Sequence, residues 1–182
     1  MKYYMNKLCV ILLTLLILVG FSSCETDDYI SRTNLNCEFQ SYTSKTGFFS
    51  SNGGGSYTFN DLPGLGNGSI IGMEYQGTEL VITGDLRYGD VIRDLYIDVE
   101  GMTPFLFSPK IDVLKDYEVM VFDTAKDPEF YDFMNSVMRR FYNQGGINVI
   151  VDGYLTNRAG IPINGTKIEI YLKSYLDVRL RE

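Results

Sequence analysis

The sequence has no histidine, no tryptophan and only three cysteines among its 182 residues. Because histidine is absent, Ser-His and Cys-His catalytic pairs, most zinc sites and the usual general base near neutral pH are excluded. Basic side chains are few, with 16 Lys and Arg against 23 Asp and Glu. The resulting net charge of −7 would repel nucleic acid, which is therefore not predicted as a partner.

The first 23 residues have the three parts of a secretory signal. Lys2 and Lys7 precede an apolar run over 8–19, and small residues follow that run. The run is shorter than the roughly 20 apolar residues that a membrane-spanning helix needs. We therefore predict a signal peptide over residues 1–23.

The segment that ends this signal, Val19-Gly20-Phe21-Ser22-Ser23-Cys24, resembles the lipobox of bacterial lipoproteins. The resemblance implies cleavage before Cys24, diacylglycerol on its sulfur and usually a further acyl chain on the new amino group. Two or three acyl chains anchor a protein stably, whereas a single chain binds membranes only marginally. The alternative is an ordinary secretory signal that happens to contain a cysteine.

The acidic segment Glu25-Thr26-Asp27-Asp28 follows directly and resembles the export signal of surface-exposed lipoproteins of the Bacteroidota. It implies a protein of the cell outer membrane that is lipid-anchored and exposed at the cell surface. An acidic, solvated tether is the alternative interpretation. Residues 24–35 are polar and are predicted to form a flexible tether, and residues 36–182 are predicted to form one β-sandwich domain.

The mature chain keeps only Cys37 as a free thiol, because Cys9 leaves with the signal and Cys24 carries lipid. A single cysteine cannot form an internal disulfide. Cys37 lies in an alternating stretch, so we predict a buried small hydrophobic side chain rather than a nucleophile. Without residues 1–23 the chain has 159 residues, with 14 basic and 23 acidic side chains and a net charge of −9.

Short segments rich in Ile, Val, Tyr and Phe, separated by turn residues, predict a body made mainly of β-strands. Gln76-Gly77 is predicted to close a tight hairpin, and Asn164-Gly165 a bulge or tight turn. Pro104 and Pro109 mark the segment between them as an edge strand or a bulged strand. The predicted strands are 36–43, 69–75, 78–84, 91–100, 105–113, 117–122, 147–156, 161–172 and 175–180.

In one segment the spacing of apolar residues is that of a helix rather than that of a strand. From Asp127 to Phe141 the apolar side chains are spaced by three and four residues, which predicts an amphipathic helix. Asp127 can cap its N-terminus, Pro128 suits its first turn, and Gly145-Gly146 end it. We expect the apolar stripe to cover an open end or one face of the sheet, and a partner-binding helix is the alternative.

Several antiparallel strands with one helix predict a mainly β fold. We expect an antiparallel, immunoglobulin-like β-sandwich with the amphipathic helix packed on it. The order of the helix, the segment 145–153 and Ile161-Pro162-Ile163 is similar to that in bacterial lipoproteins with a late-embryogenesis-abundant type β-sandwich. The similarity implies a sandwich without an enzymatic centre.

The sequence offers few patterns that carry chemistry. The glycine-rich segments 51–56 and 64–68 lack the spacing of phosphate or dinucleotide loops, so they are predicted surface loops and no cofactor is predicted. Four aspartates between residues 85 and 98 lie close in sequence, but no spacing fixes two of them across a cleft or as calcium ligands. No catalytic or metal-binding residue is predicted.

One modification motif follows from the bacterial assignment. Asp123-Thr124-Ala125 resembles the three-residue acceptor for protein O-glycosylation in the Bacteroidota. The resemblance implies a glycan on Thr124, which lies just before the predicted helix. We expect this position to be exposed.

These observations predict a non-catalytic, lipid-anchored protein of the cell envelope, with a binding or structural role towards an envelope protein or glycan. Twelve tyrosines remain after removal of the signal, and such rings stack on sugars or pack in a core. The alternative is a small carboxylate-dependent hydrolase of glycans. That activity would need two carboxylates about 5 to 10 Å apart in a deep groove.

Overall fold

The computed structural model describes residues 28–51 and 56–181. Within these residues the chain forms nine strands, one α-helix and one short 3₁₀ helix, Phe59–Asp61. The helix, α1, is Pro128–Gln144. The strands are β1 (Asp28–Tyr42), β2 (Phe48–Ser50), β3 (Ser56–Thr58), β4 (Ser69–Gly84), β5 (Asp90–Val99), β6 (Phe105–Asp112), β7 (Met120–Asp123), β8 (Gly146–Asn157) and β9 (Lys167–Arg181).

The strands form two sheets that pack face to face. The first sheet has the order β1-β9-β4-β7, and the second has the order β2-β8-β5-β6 with β3 also paired to β8. Every strand pairing is antiparallel. The prediction of a mainly β, antiparallel sandwich with one helix is confirmed, and β6, which carries Pro109, is an edge strand as predicted.

Strand β9 has one buried apolar face and one exposed, more polar face. Ile168, Ile170 and Leu172 are at most 2 % exposed, whereas Tyr171 between them is 37 % exposed. Successive side chains of a strand point to opposite faces, so this alternation gives one apolar and one polar face. Burial of each such aliphatic side chain contributes about 1.5–3 kcal/mol, and this burial holds the two sheets together.

The helix begins and ends where the sequence predicts. The Asp127 carboxylate accepts a hydrogen bond from the backbone N–H of Phe130 at 3.0 Å, and Pro128 occupies the first turn. Gly145 ends the helix in the left-handed conformation, with φ 73°, and its N–H donates to the Phe141 carbonyl. These caps satisfy backbone groups that a helix terminus otherwise leaves without a partner.

The helix closes one side of the sandwich, where it contacts β4 of the first sheet and β8 and β6 of the second. Phe130 of α1 is fully buried, and its ring centroid lies 4.8 Å from Phe107 and 5.4 Å from Phe105 on β6. Phe107 also contacts Phe122 of β7, at 4.8 Å. One aromatic cluster therefore joins the helix to both sheets, in agreement with the expected covering role.

The predicted tether over residues 24–35 is wrong from Asp28 onwards. Residues 28–35 belong to β1, which pairs with β9 along its whole length from Asp28 opposite Arg181. The Arg181 guanidinium donates to the Asp28 carboxylate at 2.8 Å. This strand could not be recognised from its own residues, which are mostly polar, because its hydrogen-bond partners lie in β9, far away in the sequence. Residues 24–27 lie outside the described residues.

The predicted hairpin at Gln76-Gly77 is also wrong. Strand β4 continues through these residues, and the register against β9 shifts between Tyr75 and Gly77, which marks a bulge. β9 is likewise one strand over residues 167–181 rather than two, and Gly165 lies in a turn before it, with φ 77°. Because β4 and β9 pair along almost their full lengths, neither strand is interrupted where turn-forming residues occur.

Candidate functional site

A groove runs between α1 and the N-terminal half of β4. Within the described residues, β7 pairs with β4 only over residues 79–82. Beside the preceding part of β4, helix α1 takes the place that a neighbouring strand would otherwise occupy. The resulting groove encloses about 370 Å³.

The floor of this groove is apolar and well packed. Tyr75 and Met138 are 7 % and 2 % exposed, and Met73 packs against the core beside them. The Tyr131 ring lies 5.1 Å from the Tyr75 ring, so it is held by the floor while remaining partly exposed.

The rim of the groove is polar. Asn135, Arg139 and Asn143 of α1 lie on one side, and Glu74 of β4 lies on the other. Tyr142, which is partly exposed, completes the rim at the C-terminal end of the helix. The groove therefore presents amide, guanidinium and carboxylate groups around aromatic rings.

Two further depressions continue this groove across the outer face of the first sheet. The second, of about 210 Å³, is lined by Gln76, Glu79 and Asp123 and shares Tyr131 with the first groove. The third, of about 260 Å³, shares Gln76 and Tyr175 with the second. We call this row of three depressions the tyrosine track. Tyr131 lies between the first and second depressions, and Tyr175 lies between the second and third.

The second and third depressions of the track contain a hydrogen bond and an ion pair at the surface. The Tyr175 hydroxyl donates to the Glu79 carboxylate at 3.1 Å, across strands β9 and β4. In the third depression, Arg32 lies 3.5 Å from the Asp177 carboxylate. These contacts are exposed and are worth little in stability, but they orient the polar groups along the track.

A buried cluster of hydroxyl groups lies under the centre of the track. The Tyr75 hydroxyl donates to the Thr78 hydroxyl at 2.9 Å, and the Thr78 hydroxyl lies 2.8 Å from that of Ser174. Burial raises the pKa of Tyr75, although its hydrogen bonds to Thr78 and Thr124 act in the opposite direction. Because these groups satisfy one another, they fix the bulge of β4 against β9.

Thr124, the predicted O-glycosylation site, belongs to this buried cluster. Its hydroxyl accepts a hydrogen bond from the backbone N–H of Thr78 at 2.8 Å, and the residue is only 5 % exposed. The expectation that Thr124 is exposed is therefore wrong, because Thr124, the first residue of the turn after β7, is hydrogen-bonded to Thr78 beside the bulge of β4. A glycan on this oxygen would need space that the buried position does not provide.

The other predicted positions lie away from the track. Cys24, the predicted lipidation site, is outside the described residues. Cys37 is buried, and this burial raises the pKa of its thiol to about 12, despite a hydrogen bond with Tyr57 that lowers it. The prediction that Cys37 is a buried small hydrophobic side chain is confirmed.

The four aspartates that lie close in sequence do not line the track. Asp90 is buried and its carboxylate accepts from the backbone N–H of Arg87 at 2.8 Å. Asp94 is exposed in a left-handed conformation, with φ 48°, where β5 shifts its register. Over residues 28–51 and 56–181, no group of three His, Cys, Asp or Glu side chains is arranged to hold a metal ion.

The thiol of Cys37 gives a direct test of this packing. At pH 8, a pKa of about 12 in place of 9.0 leaves about a thousandfold less thiolate, which is the reactive form. We expect the native protein to react with a disulfide reagent such as Ellman's reagent far more slowly than the protein unfolded in guanidinium chloride. Equal rates in the two states would contradict the buried position.

Sequence reasoning missed the tyrosine track. The spacing of Tyr131, Asn135 and Tyr142 places them beside the buried stripe of α1, and this was the only local signal. The partners from β4 and β9 are distant in sequence and carry no motif.

Comparisons with known proteins add no family. Among the helices that the structure describes, none is long and apolar enough to cross a membrane. No protein family, no curated protein and no solved structure matches this chain.

Proposed function

We propose that this chain is a non-catalytic, lipid-anchored protein of the bacterial outer membrane, exposed at the cell surface, where its domain binds an envelope protein or glycan. The observation that carries the proposal is the position of the lipobox cysteine. Cys24 precedes the first strand of the sandwich by only four residues. The binding part of the proposal is supported by the tyrosine track.

A lipid on Cys24 would hold the domain close to the membrane. Four residues span at most about 14 Å when fully extended. The end of the sandwich that carries Asp28 and Arg181 would therefore lie next to the lipid headgroups, together with the start of β4, because Ser69 is opposite Arg181. The tyrosine track lies further along the same sheet, on its outer face and beside α1.

The anchor is tested by the substitution Cys24→Ala in the bacterial host. We expect this change to abolish metabolic labelling with a fatty acid and to release the domain from membranes, because the only acyl acceptor is lost. Cys9→Ala is the matched control, since Cys9 is the other cysteine of the N-terminal segment and is expected to leave with the signal. Unchanged labelling of Cys24→Ala would refute the anchor.

Exposure at the cell surface is tested separately. Protease added to intact cells is expected to remove the wild-type protein, while a periplasmic marker protein stays intact. Full protection would place the domain on the periplasmic side of the outer membrane.

One observation favours the alternative of a glycan hydrolase. Glu79 and Asp123 are directly opposite each other on β4 and β7, and both line the second depression of the track. Opposite residues of an antiparallel pair bring their side chains close together, as a pair of catalytic carboxylates requires. Release of reducing ends from a polysaccharide, abolished by Glu79→Gln, would establish this activity. We expect no release.

A further inference from the structure

We propose that the tyrosine track binds a neutral, linear glycan, with the rings of Tyr131 and Tyr175 as stacking platforms between successive sugar units. The inference rests on the proposed binding function and names the class of its ligand.

The shape of the track suits a chain of repeated units. Its three depressions lie in a row, and each neighbouring pair shares a tyrosine, Tyr131 between the first and second and Tyr175 between the second and third. None of them is a deep pocket, and each encloses a few hundred cubic ångströms, at about 370, 210 and 260 Å³. A small compact ligand would fill one pocket, whereas a polymer can follow all three.

The chemistry of the lining suits sugar hydroxyl groups. Asn135, Asn143 and Gln76 each offer both a donor and an acceptor, which a hydroxyl group can match with its own donor and acceptor. Tyr131 and Tyr175 add ring faces that pack on the apolar face of a sugar while their hydroxyl ends remain wet. Tyr175 is 36 % exposed, and the Lys173 ammonium lies 5.0 Å from its ring centroid, so a sugar would stack on the ring face that Lys173 leaves open.

The charges along the track favour a neutral ligand over an acidic one. Arg32 is already paired with Asp177. Arg139 is the other guanidinium on the rim, and it lies in the same groove as Glu74. The second depression is lined by Glu79 and Asp123 and by no Lys or Arg, and Lys173, opposite Glu79 on β9, can offset only one of these two carboxylates. An anionic polysaccharide would therefore meet unfavourable charge at the centre of the track.

A protein partner fits the track less well. Protein interfaces draw most of their affinity from apolar or aromatic anchors that enter fully desolvated pockets. In the first groove the apolar floor is already filled by packed side chains, since Met138 is 2 % exposed and Tyr75 is 7 % exposed. The accessible groups are polar, with tyrosine rings between them.

The test is affinity electrophoresis of the full mature lipoprotein, purified from membranes in detergent. The gels contain the linear neutral polymers pullulan, glucomannan, mixed-linkage β-glucan or hydroxyethylcellulose, and a further gel contains the anionic polymer polygalacturonate. We expect at least one neutral polysaccharide to retard the protein and polygalacturonate to leave its mobility unchanged.

Single substitutions test whether the polysaccharide binds at the tyrosine track. Tyr175→Ala is expected to weaken binding at least tenfold, because it removes one stacking platform. Tyr171→Ala is the matched control, because Tyr171 lies on the same face of β9, is 37 % exposed and does not line the track. Thermal unfolding of each variant confirms that the domain is folded, and Gln76→Ala provides a second variant of the track.

Several outcomes would overturn the inference. These are the absence of retardation by all four neutral polysaccharides, equal losses in Tyr171→Ala and Tyr175→Ala, or stronger binding to polygalacturonate. Cross-linking in cells from a photoreactive residue at position 175 to a membrane protein, without any polysaccharide binding, would identify a protein ligand instead. Fatty-acid labelling of the same preparation distinguishes these failures from failure of the proposed anchor.

Discussion

Phe130→Ala is expected to lower the free energy of unfolding by about 3–5 kcal/mol, the usual cost of removing a buried phenylalanine. Phe130 is fully buried and joins α1 to β6 through Phe105 and Phe107. The helix would lose its main contact with the edge of the second sheet. Domains of this size typically have only about 5–15 kcal/mol of stability, so this loss is a large fraction of the total.

Urea denaturation followed by circular dichroism measures this effect. Ser136→Ala is the control within the same helix, because Ser136 is exposed and its hydroxyl donates only to the Asp132 carbonyl of the preceding turn. The control should change the stability by no more than about 0.5 kcal/mol. A loss of less than about 1 kcal/mol in Phe130→Ala would show that the helix does not close the sandwich as described.

Gly47→Ala is expected to cost about 3 kcal/mol, as the sum of backbone strain and a steric clash. Gly47 has φ 78°, a conformation that disfavours every residue with a Cβ atom. An added Cβ would also fall well inside contact distance of the Leu155 carbonyl oxygen. The backbone cannot move away easily, because the Leu155 N–H donates to the Gly47 carbonyl at 2.8 Å.

Gly165→Ala separates the two contributions. Gly165 has nearly the same φ, 77°, but an added Cβ would have no atom within 4 Å. This variant should therefore lose only the strain energy, about 1–2 kcal/mol. Thermal or urea unfolding of both variants gives the difference, and equal losses would contradict the close approach of Gly47 to β8.

The helix could be predicted closely because its determinants are local. Its apolar period, the Asp127 cap and the Gly145 end all lie within one short segment, and the structure has each of them in the predicted role. The alternation of buried and exposed side chains along the strands could also be predicted from neighbouring residues. Both patterns depend on side chains that are adjacent in the sequence.

The extent of the strands could not be predicted, because pairing partners are distant in the chain. Residues 28–35 resemble a polar linker until they are paired with the last residues of β9. Gln76-Gly77 has the composition of a turn, yet continuous pairing with β9 keeps β4 extended. At both positions, hydrogen bonds to a distant strand determine the backbone conformation, although the local residues favour a linker or a turn.

The candidate functional site could not be predicted for the same reason, because its residues are distant in the sequence. Thr124 matches a modification motif, but its exposure depends on Thr78, which lies on another strand. The tyrosine track combines α1, β4 and β9, so no single segment carries its signature. The predicted lipidation at Cys24 also rests on a contiguous pattern, and that pattern concerns processing rather than folding.

Mass spectrometry of the N-terminal peptide, on protein isolated from the membranes of its native host, tests the lipid anchor most directly. We expect a chain that starts at Cys24 and carries diacylglycerol on the sulfur, usually with a further acyl chain on the amino group. An unmodified Cys24, or a peptide that still contains residues from the segment 1–23, would contradict it.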